Sequence, residues 1–180
     1  MTENQFWTLI EKTIDRDALR DLGEDVYPDP LVQPLTEELE KLSVHEIEEF
    51  EEILAKALYD LDGRRFAANA GDSRESDDGF LYCRCWVVAN GREYYEAVLA
   101  DPEKMPKTIT EWCEPLLYVA RDAWAQKTGK DAEEWDYEPK VSYETGSNEA
   151  LCSRVADHRG GGDASGHCGP RQALAGSEVC

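Results

Sequence analysis

The chain has 180 residues, with 39 Asp and Glu against 19 Lys and Arg and a formal net charge of -20. A field of that sign repels phosphate, so neither nucleic acid nor an anionic membrane surface is an expected partner. No run approaches the roughly 18 apolar residues of a spanning helix, and residues 1–12 lack a signal peptide's basic start and apolar centre. A cytoplasmic protein with its six Cys as thiols is the expectation, any processed product being exported later.

In chain order, Phe6, Trp7, Leu9, Ile10 and Ile14 recur at helical spacing and predict an amphipathic helix over 3–14. A Pro-containing loop with Pro28, Pro30 and Pro34 follows. Ser43-Val-His-Glu46 reads as a capping box, the Ser oxygen meeting the third residue's N–H and the Glu reaching back. The helix it opens has an apolar face of Val44, Ile47, Phe50, Ile53, Leu54, Ala57, Leu58 and Leu61. Glu46, Glu48, Glu49, Glu51 and Glu52 form the opposite, solvated stripe. Ser76-Asp77-Asp78-Gly79 supplies side-chain oxygens for the start of another helix, which Asn90-Gly91 ends in a left-handed cap. A shorter helix over 92–99 stops at Asp101-Pro102. The last long one, about 110–128, carries Trp112, Leu116, Leu117, Val119, Ala120, Ala123 and Trp124 and ends at Gly129. No run alternates with period two for long, so the fold is all-α.

The stretch SDDGFLYCRCWVVANGREYYEAVLADPEKMP (76–106), with FWTLIEK before it and EEFEEIL between, resembles the domain-of-unknown-function family 4240. That family comprises small bacterial helical domains with an S-D-D-G-F segment, a W-(V/L)-(V/I)-x-x-G-R segment and an acidic D-P. The match covers roughly residues 3–125; it implies a helical fold and brings no activity. Cys83 stands where the family has an aromatic.

Catalytic groups are hard to find in this part of the chain. It has no Gly-rich phosphate loop, no H-E-x-x-H and no nucleophile elbow. Asp77 and Asp78 sit beside Gly79 at a helix start, where capping is the commoner use. Cys83 and Cys85 are two apart on a helix and face nearly opposite ways, which suits small core residues rather than a chelate. His45 lies on a helix surface among Glu residues. The expectation is a protein that is not an enzyme and needs no cofactor or metal.

Composition changes sharply near Gly146. The last aromatic is Tyr143, while residues 146–180 hold seven of the thirteen Gly and three of the six Cys. So little apolar area does not offset roughly 1–2 kcal/mol per residue of backbone ordering. Three parts are expected: an acidic helical domain over 1–145, a linker over 146–162 ending in Gly160-Gly161-Gly162, and a separate segment over 163–180. The segment beyond 145 reads as a disordered tail.

Within that tail, Ser165-Gly-His-Cys168 and Ser177-Glu-Val-Cys180 place a Ser three residues before a Cys twice. Loss of water from Ser gives dehydroalanine, and a thiolate three residues on adds to it and closes a thioether ring. A terminal Cys with a free carboxylate also permits oxidative decarboxylation to an enethiol, which adds to the same acceptor. The tail is thereby similar to the cores of lanthipeptides, linaridins and thioamitide-like peptides, in which a C-terminal S-x-x-C marks an aminovinyl-cysteine. That resemblance implies a terminal ring from Ser177 and Cys180. Ser165 and Cys168 form another, or the two Cys share one bis-thioether macrocycle of the kintamdin kind. Cleavage between Gly162 and Asp163, after the Gly run, would release the product. The implied partners are a dehydratase or lyase, a cyclase, a Cys decarboxylase and a leader peptidase.

Two other readings stand beside this one. The chain is an acidic helical adaptor or immunity-type binding protein with a plain tail; or Cys152, His158, His167, Cys168 and Cys180 hold a metal, in a spacing looser than the paired ligands of structural zinc sites.

Overall fold

The computed structural model describes residues 1–22 and 27–152, and among these every regular element is helical, as the spacing predicts. Helix α1 (Glu3–Thr13) opens on a capping box between Thr2 and Gln5 and buries Phe6, Trp7 and Ile10. A short α2 (Arg16–Arg20) follows, capped by Asp15 and pinned by buried Leu19.

The Pro-rich stretch is largely helical rather than a loop: α3 spans Asp29–Glu40. Pro30 falls in its first turn, where a backbone N–H has no helical partner to lose, and only Pro34 sits inside the helix. Burial of Val32, Leu35 and Leu39 offsets the missing bond, and α3 lies along the last long helix of the bundle.

Helix α4 (Val44–Asp60) starts at the expected box, with Ser43 N donating to Glu46 Oε2 at 2.9 Å. Its Phe50 ring meets that of Phe6 at 4.8 Å, which joins α4 to α1 at the centre of the core. After the one-turn α5 (Arg64–Ala67), α6 (Asp77–Ala89) begins at Ser76, whose Oγ accepts from Gly79 N. Phe80, Leu81 and every residue from Cys83 to Ala89 are buried, the pattern of a helix enclosed on all sides. Gly91, at φ 89° and ψ 173°, turns the chain into α7 (Arg92–Ala100) with an extended positive-φ backbone rather than the expected left-handed cap.

The long helix expected from about 110 is shorter. Residues Glu114–Tyr118 form a tighter 3-10 turn, and α8 runs only from Val119 to Thr128 before Gly129 at φ 70°. Pro115 explains the late start, because its ring disfavours helical backbone at Glu114 and removes a donor.

Beyond α8 the chain recrosses the bundle. Trp135 meets Trp124 edge to face at 5.5 Å, and Tyr137 donates through its hydroxyl to Glu52 at 2.9 Å. The folded part also passes the expected boundary at Thr145: residues 146–152 pack on the domain and close with α9 (Glu149–Cys152). Polar anchors hold this segment, so its poverty in apolar side chains was no guide to its order.

Candidate functional site

The residues singled out for modification and cleavage, Ser165, Cys168, Ser177, Cys180, Gly162 and Asp163, lie outside the described residues, as do His158 and His167. In the folded part, Cys83, Cys85 and Cys113 are free and buried. Burial pushes the Cys83 and Cys113 thiols up to about 12 and raises that of Cys85, so none is a thiolate at neutral pH. Cys152 is buried at the end of the folded part, its Sγ 3.9 Å from Asp62 O. His45 is exposed between Glu48 and Glu49, and Asp77 and Asp78 lie exposed in the first turn of α6, where Ser76 provides the cap.

Two polar constellations occupy the described domain. The first is a buried latch. Arg84, on the enclosed helix α6, and Asp62, after α4, are both fully buried, with Arg84 Nη1 4.0 Å from Asp62 Oδ1. Arg84 donates to Leu58 O at 2.9 Å and to Tyr143 O and Thr145 Oγ1 at 3.0 Å each. Asp62 accepts from Gly146 N at 3.1 Å and Asn148 N at 2.9 Å. One buried ion pair thus ties α4 and α6 to the chain from Tyr143 to Asn148. Arg64 Nε donates to Cys152 O at 2.7 Å and extends the tie to the last described residue. Burial draws the Arg84 guanidinium below its ordinary value, and the Asp62 carboxylate opposes that shift.

The second is a pocket of about 270 Å³ between α4, α6, α8 and the segment that recrosses the bundle. Glu51 enters it from α4, Asp78 and Tyr82 from α6, Tyr118 from the 3-10 turn and Arg121 from the start of α8. Trp135, Tyr143 and Glu144 complete the wall. Glu51 is only 5 % exposed, and among the described residues no hydrogen bond or ion pair reaches its carboxyl group. Burial, and then the neighbouring charge of Glu52, push its pKa up to about 7. The cation at the rim is already engaged: Arg121 donates to Asp122 Oδ1 at 3.0 Å and stacks over the Tyr118 ring at 4.8 Å.

Glu51 was assigned to the solvated stripe, and its burial corrects that. Residue type was misleading where spacing was informative: Ile47, Glu51, Leu54 and Leu58 recur at i, i+4, i+7 and i+11 and share the inward face. Asp78 and Leu117 stood out only for capping and packing, and the wall formed by Trp135, Tyr143 and Glu144 had no signal, because it arrives from a distant segment without regular periodicity.

Residues 1–126 match the profile of a family described as protein of unknown function (DUF4240). No curated protein and no solved structure matches the chain. The family region thus contains Glu51, Asp62, Asp78 and Arg84, whereas the outer pocket wall and the latched segment follow it.

Proposed function

From a chain that belongs to the DUF4240 family, whose members carry no assigned activity, we propose a precursor of a ribosomally synthesised and post-translationally modified peptide. The helical domain acts as leader, and residues 163–180 become the product. The observation that carries this reading is the repeated spacing of Ser165 to Cys168 and Ser177 to Cys180 in a segment without aromatics, just after a Gly run. Each Ser loses one water to give dehydroalanine; each thiol then adds its sulfur and its proton across that double bond, with no net redox change. The aminovinyl variant needs a free α-carboxylate on Cys180, and a flavin-dependent decarboxylase takes up the two electrons released with CO₂.

The domain in this reading catalyses nothing and presents its substrate. Cys152 is fixed to the fold through Arg64, and ten residues lead from it to Gly162. Ten residues span at most about 35 Å, and covalent attachment to a docking domain raises a substrate's effective concentration at each bound enzyme. The acidic surface suits basic modifying enzymes and a basic peptidase.

The test compares the full chain with the isolated 163–180 peptide in the presence of the dehydrating and cyclising enzymes. Modification of the full chain alone supports a leader; equal processing of the free peptide contradicts it. The second reading, an acidic helical binding protein with a plain tail, is favoured by one observation of its own, the unpartnered Glu51 in its pocket.

A further inference from the structure

The pocket at Glu51 has a chemical preference independent of what becomes of residues 163–180. We propose that it is a receptor for an organic monocation, an alkylammonium or guanidinium group, held by Glu51 at its inner end and by aromatic faces along its walls.

The first support is Glu51 itself. The residue is only 5 % exposed, yet it lines an open pocket of about 270 Å³ with no protein donor to its carboxyl group among the described residues. A buried acid in that position is destabilising unless something supplies the missing charge, and here the space for a counter-ion is present. A bound ammonium also draws Glu51 back from about 7 towards its ordinary range.

The walls define the kind of cation. Trp135, Tyr82 and Tyr143 line it, and aromatic rings attract weakly hydrated organic cations. A hard metal ion needs six or more oxygen ligands or a compact set of donors, and no group of three His, Cys, Asp or Glu able to hold a metal occurs among the described residues. Anions are disfavoured because exposed Asp78 and Glu144 also line the pocket, while Arg121 is taken up by Asp122 and Tyr118. The volume falls just below the roughly 300–1,000 Å³ of sites for drug-sized ligands, which suits one side chain or one small amine.

The experiment is a titration of the full chain, followed by NMR at the Trp135 indole and the Leu81 and Leu117 methyl groups. One arm uses butylammonium chloride. The other uses a short capped peptide with one Lys among Ala residues, and sodium butyrate serves as the anionic control. Saturable shifts confined to the pocket with the amine, and none with butyrate, are expected. Tighter binding of the peptide identifies a Lys side chain of a protein partner as the source; tighter binding of butylammonium identifies a free amine. Glu51→Gln preserves the shape and is expected to weaken either ligand by about tenfold or more, the gain typical of a charge-assisted bond. Its melting temperature stays at or above that of the wild type, so lost binding is not lost folding. Absence of pocket shifts in both arms, undiminished binding by Glu51→Gln, or equal binding of butyrate overturns the proposal.

Discussion

Glu51 holds an ionisable group where burial opposes its charge, and this has a measurable pH signature. Its folded pKa of about 7 lies above the ordinary 4.5 of the unfolded chain. Below about 4.5 both states carry the proton and nothing is lost. As pH rises through that window the unfolded chain releases its proton first, so stability falls, and above about 7 the full penalty of about 3 kcal/mol applies. The charged and titratable groups around Glu51 are Glu52 on its own helix, Asp78 and Tyr82 from α6, Tyr118 from the 3-10 turn, Arg121 from α8, and Tyr143 and Glu144 from the returning segment. Glu51→Gln is expected to melt higher than the wild type by several degrees more at about pH 8 than at about pH 5. A gap that does not change with pH contradicts this assignment.

Among the elements, the latch between Asp62 and Arg84 decides where the folded part ends. Removing one partner of a buried pair leaves the other charge uncompensated, at a cost of about 3–5 kcal/mol. Asp62→Ala is therefore expected to lower the melting temperature markedly and to accelerate hydrogen exchange at the Gly146 and Asn148 amides, which donate to it. Unchanged exchange at those two amides would show that the segment is held by other contacts.

The same latch shows what a sequence reveals and what it hides. Ser43 with Glu46, Ser76 with Gly79, and Gly129 act through neighbours three or four residues away, so their roles were legible. The enclosed helix α6 was legible too, from an apolar run ended by Asn90-Gly91. Asp62 reaches across 84 to 86 residues to Gly146 and Asn148, and no local pattern encodes such a pairing. Pro30 and Pro34 misled for a related reason: local propensity argued for a loop, and burial of Val32, Leu35 and Leu39 outweighed it.

For the whole molecule, a net charge of -20 makes self-repulsion a general term in stability. Raising the ionic strength from about 0.01 M to about 1 M shortens the screening length from roughly 30 Å to roughly 3 Å. The melting temperature is expected to rise over that range; a fall would mean that surface ion pairs such as Lys12–Glu38 and Arg92–Glu96 outweigh the repulsion. The same field favours basic partners, whose association with the domain is expected to slow as salt is added.

The central claim concerns residues 163–180 as a product in the making, and mass spectrometry of that segment from the native host addresses it directly. The protein is reduced and alkylated before fragmentation, because a thioether survives reduction and a disulfide does not. The account predicts loss of water at Ser165 or Ser177, with Cys168 and Cys180 refusing the alkylating reagent. Unmodified Ser165 and Ser177 with both of those thiols alkylated would contradict it and leave an acidic helical domain with a plain tail.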